Sequence, residues 1–146
     1  MKKIVFLLLT TSLAFSCKDD TVDDTQPTDI SGIWKISHYS FRGKDYNVKG
    51  CDLDDRIVIQ RDMQGSYKNS ALIANVCDFV ENISGTWNFD YLAGKLTLKY
   101  QENNTEKSKT INLSEYSSST LKIQVTDKNI DGIEGNDDAI EVWVKD

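Results

Sequence analysis

The stretch GTWNFDYLAGKLTLKY, residues 85–100, decides the fold. Trp87, Phe89 and Tyr91 alternate with Thr86, Asn88 and Asp90. A repeat of two is that of an extended strand, whose successive side chains point to opposite faces. Ala93-Gly94 turns the chain, and Leu96, Leu98 and Tyr100 then share one face of the next segment. Two such segments joined by a short turn form an antiparallel hairpin with one face buried and one face wet.

The same alternation extends in both directions. Trp34, Ile36 and His38 share a face of the first strand, so His38 is expected to point inward near one end. Ile57 and Ile59 share a face of the second, with Val58 opposite. Asp62-Met63-Gln64-Gly65 turns into a third strand carrying Tyr67. Residues 110–113 begin a sixth strand, Leu121, Ile123 and Val125 form a seventh, and Ile140, Val142 and Val144 an eighth. Trp143 falls on the other face of that last strand; with Tyr39, Phe41 and Tyr116 it is expected to face outward. Residues 71–80 (ALIANVCDFV) read equally as a short helix or as a strand edge with a loop, and residues 103–109 as a polar loop. Eight short amphipathic strands can close into an all-β antiparallel up-and-down barrel, which removes both sheet edges. A two-sheet sandwich gives much the same alternation.

The first residues are not part of this fold. Lys2 and Lys3 precede the apolar run IVFLLL, residues 4–9, and the chain turns polar and acidic soon afterwards. That apolar core is too short for a permanent membrane helix and reads as a secretory signal over residues 1–16. LAFSC, residues 13–17, resembles the lipobox of bacterial lipoproteins, which implies cleavage before Cys17 and acylation of that cysteine. Two or three acyl chains hold a soluble domain on a membrane where one binds only marginally. Cys17-Lys18-Asp19-Asp20 resembles the lipoprotein export signal of the Bacteroidetes, which implies a lipid anchor in the outer membrane and surface display, with the periplasmic face as the alternative. Residues 17–29 then form the lipidated cysteine and an acidic tether containing Pro27, the one proline, and residues 30–146 form the folded domain.

Loss of Lys2 and Lys3 leaves 15 basic residues against 23 acidic, a formal charge of −8. That balance argues against nucleic acid as a partner, which wants basic patches. With Cys17 acylated, Cys51 and Cys77 remain, and export places them where disulfides form. A bridge between them closes a loop of 26 residues, worth roughly 3–4 kcal/mol by chain entropy.

Gly32-Ile33-Trp34 opens the first strand and Gly85-Thr86-Trp87 the fourth. The former looks like the Gly-X-Trp of lipocalins, in which the tryptophan closes one end of an eight-stranded barrel. The order of these triplets with Cys51, the turn at residues 62–65, Tyr67, Cys77 and GKLTLKY is similar to the lipocalin-like lipoproteins of the Bacteroidetes, over residues 30–146. The resemblance implies a non-catalytic module that holds a small hydrophobic or aromatic molecule in its barrel. Trp34, His38, Tyr67, Trp87, Phe89, Tyr91 and Tyr100 are the candidate lining. The alternative is an interaction module with a filled core, contacting a surface protein or glycan through its outer face.

No catalytic constellation accompanies this pattern. His38 is the only histidine, and no serine or cysteine can be set beside it with an orienting carboxylate. One loop stands apart: residues 127–138, DKNIDGIEGNDD, resemble the twelve-residue calcium loop of EF-hands. Asp127, Asn129, Asp131, the carbonyl of Ile133 and Asp138 are its candidate ligands for a structural calcium ion, and the chain calls for no other cofactor. The bland reading is a solvated acidic turn between strands.

Overall fold

The computed structural model describes residues 28–128, 130–131 and 137–146. Among them nine strands form one antiparallel sheet: β1 (Gly32–Phe41), β2 (Lys44–Asn47), β3 (Arg56–Ile59), β4 (Gln64–Ile73), β5 (Val76–Asp90), β6 (Lys95–Glu102), β7 (Thr105–Tyr116), β8 (Thr120–Lys128) and β9 (Asp137–Lys145). Every strand from β3 to β9 pairs with its neighbour in sequence, and β9 returns to pair with β1. Eight strands therefore close an up-and-down barrel, and the sandwich alternative is excluded. β2 is the ninth: it folds back along the second half of β1 through a turn at Arg42 and Gly43, both with positive φ. A short 3-10 helix, Gly50–Asp54, leads from there into β3.

The barrel has one plugged end. Gly32, the 60–63 turn and the 90–95 turn lie there together, as the pairings Gly32 with Ile59, Ile59 with Gly65 and Gly65 with Gly85 show. Trp34, Ile57, Leu96, Leu98 and Leu121 are fully buried and Trp87 and Ile59 nearly so. The Trp34 indole donates to the carbonyl of Ile30 at 2.9 Å, so the segment entering β1 is bonded to the ring it covers. The Trp87 indole donates to Val58 O at 2.8 Å. Both large aromatics thus satisfy their one polar hydrogen while burying the ring.

Four outward assignments are overturned, three of them beyond bulges in β1 and β7 and the fourth by the phase of β9. β1 holds one extra residue against β9, between Ile36 (opposite Trp143) and His38 (opposite Val142). A single inserted residue reverses the facing of everything beyond it. Trp34 and Ile36 point inward, and past the bulge Tyr39 and Phe41 are buried while His38 turns out. On β9 the inward set is Ala139, Glu141 and Trp143, the last 1% exposed. Tyr116 also packs on the core, edge-on to Phe89 at 4.9 Å.

Two further segments take definite form. Residues 71–80 are neither helix nor loop but the tip of the β4–β5 hairpin, with positive φ at Ala74 and Asn75. Asn103 and Asn104, both at positive φ, make a tight turn, so most of the expected polar loop is the start of β7. Asparagine tolerates that conformation, and two such residues in sequence suit a two-residue hairpin turn.

Candidate functional site

The end opposite the plug is the mouth, and a cavity of about 300 Å³ lies within it. Its inward wall is built from five strands or their approaches. Asp55 precedes β3, Tyr67 and Asn69 lie on β4, Lys109 on β7, Ile123 on β8, and Glu141 and Trp143 on β9. The cavity also reaches the outside through the barrel wall. The β7–β8 ladder runs only from Leu113 opposite Ile123 to Tyr116 opposite Leu121. Towards the mouth the two strands part, and Thr110, Asn112, Gln124 and Thr126, which face outward or along the gap, border the same space.

Each polar group in this wall is held in place. Asp55 is 3% exposed, and its carboxylate accepts the Ser70 N–H at 2.6 Å, where β5 bulges against β4. Glu141 is 7% exposed, and its Oε2 accepts the Trp143 indole N–H at 3.0 Å. Lys109 places its ammonium 4.3 Å from the centre of the Tyr67 ring and 2.6 Å from Glu81 Oε2. Asn69 donates to the Tyr67 hydroxyl at 3.3 Å. Burial pushes the Tyr67 phenol well above its ordinary range, so at neutral pH it keeps its proton. The wall therefore offers two buried carboxylates, a phenol, an amide and a ring-stacked ammonium beside the faces of Tyr67 and Trp143.

This lining differs from the aromatic one expected from the sequence. Of the seven candidates, Tyr67 alone borders the cavity. Trp34 and Trp87 belong to the plug, and Phe89 packs near it against Tyr116. Tyr91 is 42% exposed in the β5–β6 turn, its carbonyl accepting the Tyr116 hydroxyl at 2.7 Å. Tyr100 is half-buried beside a separate cleft between β5 and β6. His38 lies outside the barrel, 3.8 Å from Asp45 and 3.3 Å from the Ser37 hydroxyl.

Asp55, Asn69, Lys109 and Glu141 were not singled out in the sequence, and Trp143 was placed on the outer face. Trp143 carried a signal: it is the largest side chain of its strand, and burying a tryptophan removes more apolar surface than burying a neighbouring valine. Placing Trp143 inside places Glu141 inside as well. Asp55 and Lys109 carried none, because a charged residue at a strand end ordinarily reads as solvated.

Cys51 and Cys77 are joined by a disulfide with Cα atoms 5.2 Å apart, which ties the 3-10 helix to the β4–β5 hairpin. Of the calcium candidates, Asn129 and Ile133 lie outside the described residues, Asp131 is half-buried and Asp138 is exposed. Among the described residues no group of three or more His, Cys, Asp or Glu side chains is placed to hold a metal ion. Cys17 lies outside the described residues.

The family model described as a lipocalin-like domain matches residues 30–123. No curated protein matches the sequence. The crystal structure of a lipocalin-like protein from Bacteroides uniformis ATCC 8492 is similar at 15% identity, with a TM-score of 0.39 over 77% of this chain and 97% of that one. The family's barrel is consistent with binding small molecules and is typically non-catalytic. With the family model covering more than half of the sequence and the barrel closed as such a domain requires, this chain belongs to the lipocalin-like domain family.

Proposed function

We propose that this protein is a non-catalytic lipoprotein whose barrel holds one small molecule at its mouth. The carrying observation is the cavity of about 300 Å³ between β4, β7, β8 and β9, walled by both ring faces and buried polar groups. A space of that size falls at the lower end of ordinary small-molecule sites, which combine apolar walls with a few placed polar groups. The lining refines the guest. Tyr67, Trp143 and Ile123 suit an apolar or aromatic body, and Asp55 and Glu141 suit an end that donates hydrogen bonds.

The lipobox-like sequence supports anchoring at Cys17, and the export-like Lys18-Asp19-Asp20 supports the outer membrane and its outer face. β1 enters the barrel at the plugged end. A tether of residues 17–29, at most roughly 3.5 Å per residue, joins that end and allows the mouth to face away from the bilayer.

Native mass spectrometry of the protein purified from its host membrane tests both parts. The expected spectrum shows the acyl mass on Cys17 and a retained guest that Asn69→Trp, which fills the cavity, displaces. A guest retained equally by the filled variant, or a native protein without guest that also fails to bind the neutral fluorophore N-phenyl-1-naphthylamine, would overturn the cavity reading. An unmodified Cys17 would overturn the anchor.

A further inference from the structure

The β4–β5 hairpin is longer than the barrel needs. β5 runs over Val76–Asp90, yet it pairs with β6 only from Gly85 opposite Tyr100 to Asp90 opposite Lys95. At Gly85 the two backbones leave no room for a side chain: a Cβ there would lie 1.9 Å from Lys99 O. Beyond it, towards the mouth, they part. Residues 76–84 are paired with β4 on one side, and among the described residues no strand lies along their other side. A strand edge of that length presents a row of main-chain donors and acceptors, and native sheets normally shorten, charge or cover such an edge.

This edge is only partly blunted: Val80 bulges against β4, Asp78 and Glu81 charge it and the Phe79 N–H is bonded to Asp78 Oδ1 at 2.8 Å, yet its large exposed side chains are apolar. Leu72, Ile73, Val76, Phe79 and Val80 are all between 46% and 66% exposed, five of the nine large apolar side chains exposed on the described surface. They cluster at the tip of one hairpin rather than scattering over the barrel. The hairpin is also fixed before anything binds, since Cys77 is bridged to Cys51 on the 3-10 helix. A cleft of about 390 Å³ opens where β5 and β6 separate, beside the half-buried Tyr100 and between Lys99 and Glu106.

The unpaired main chain on either side of the Val80 bulge dictates the form of what covers it: an extended main chain that brings apolar side chains to the tip. Charge selects between a second copy and a different chain. The sequence carries a net charge of −6 and Asp78 sits exposed near the tip, so pairing two copies edge to edge brings like charges together. We propose that residues 76–84 of β5 form a docking edge for an extended, basic-flanked segment of another polypeptide, which joins the sheet as an added strand. The site is separate from the mouth cavity and does not depend on a guest.

Amide hydrogen exchange of the purified protein tests this with a defined probe. The probe is a nine-residue peptide of alternating valine and threonine with a lysine at each end; its control is the same peptide N-methylated at alternate residues. The plain peptide is expected to slow exchange by about tenfold or more at alternate amides of residues 76–84, while the methylated one leaves them unchanged. Val76→Lys and Val80→Lys, both at exposed positions, are expected to abolish the effect without altering exchange in β6–β9. Equal protection by both peptides would show mere apolar adhesion and overturn the proposal. So would no protection at these amides, or protection that rises with protein concentration alone, which would assign the edge to a second copy.

Discussion

Lys145, one residue from the end of the chain, lays its ammonium 5.1 Å from the centre of the Trp34 ring, and its methylenes run across Gly32. The Gly-X-Trp triplet that opens β1 is thus read twice in space, once through the buried indole and once through the glycine over which the lysine passes. A Cβ on Gly32 would stand 2.8 Å from Lys145 Cε. That atom belongs to a flexible side chain and can move. The glycine's own φ of +150° cannot be relieved in the same way, because other residues rarely adopt it.

Strain rather than collision should therefore set the cost of Gly32→Ala, about 1–3 kcal/mol. Adding Lys145→Ala removes the clash but not the strain, so the double variant is expected to recover almost nothing beyond the sum of the single ones. Urea unfolding of the four proteins checks this. Recovery of most of the loss in the double variant would show that the lysine, not the backbone, was the obstacle.

Gly65 presents the opposite case. A Cβ there would meet Val58 O at 1.9 Å and Trp87 Nε1 at 2.8 Å. The first atom is main chain in the adjoining strand, and the second is the donor of the Trp87–Val58 bond. Neither can give way without opening β3 from β4 or unseating a plug tryptophan. Gly65→Ala is expected to cost about 3 kcal/mol or more. Gly43→Ala, in a turn with open space around it but φ +73°, serves as the comparison at about 1–2 kcal/mol. Equal losses for the two, measured by denaturant midpoint, would refute the steric account.

These contrasts bear on how far the chain could be read unaided. The hairpin of residues 85–100 announced itself, because both of its strands alternate cleanly and neither is bulged against the other. The barrel followed from eight such segments. What defeated the reading was phase. One extra residue in β1 sent Tyr39 and Phe41 inward and His38 outward, and a bulge leaves no mark on an alternation whose two faces are both partly apolar. β9 reads IEVWVK, where either phase buries something greasy, and the wrong choice hid Glu141 together with Trp143. The mouth was illegible for another reason: its polar groups are buried only because distant strands converge there, and no local pattern encodes that convergence.

Glu141 and Trp143 make a testable pair within the cavity wall. The carboxylate accepts the indole N–H at 3.0 Å, and Trp143 is 1% exposed. Glu141→Gln keeps an acceptor oxygen and is expected to leave stability nearly unchanged. Glu141→Ala strips that acceptor from a buried donor, at about 1–3 kcal/mol. Chemical denaturation followed by near-ultraviolet circular dichroism separates the two, since the Trp143 signal should persist in the glutamine variant alone. An alanine variant as stable as the glutamine one would mean that water reaches the indole in its place.

One buried phenol and one half-buried phenol give the fold an alkaline limit. Tyr39 is pushed far above the ordinary tyrosine range by burial, with its hydroxyl bonded to Asp52, and Tyr67 is raised by burial despite the opposing bond from Asn69. A group whose pKa is raised on folding contributes stability that is whole below its unfolded value, near 10 for tyrosine. That stability is lost as pH climbs through the folded value. Stability should therefore hold up to about pH 10 and fall beyond it, because only the unfolded chain ionises these phenols readily. Absorbance of phenolate at alkaline pH should show late-titrating tyrosines that appear together with unfolding and that Tyr39→Phe and Tyr67→Phe remove one at a time. A full complement of phenolates in a still-folded protein would contradict the raised pKa of both phenols.

The disulfide between Cys51 and Cys77 closes a 26-residue loop across the mouth, from the 3-10 helix to the hairpin tip. Its removal loosens the unfolded chain and is expected to cost roughly 3–4 kcal/mol. The plug lies at the other end of the barrel, and the pairings of β1 with β9 and β6 with β7 do not pass through the bridge. Reduction should therefore lower the denaturant midpoint while leaving the native strands of the plugged end protected. The effect on the native state should be confined to β4 and β5 near the tip and to the segment carrying Asp55, whose carboxylate is bonded to Ser70. Hydrogen exchange under reducing conditions, with Cys51→Ser/Cys77→Ser as a second route to the same state, reads both effects. Loss of protection spread evenly over β6–β9 would show that the bridge holds the whole barrel rather than one side of its mouth.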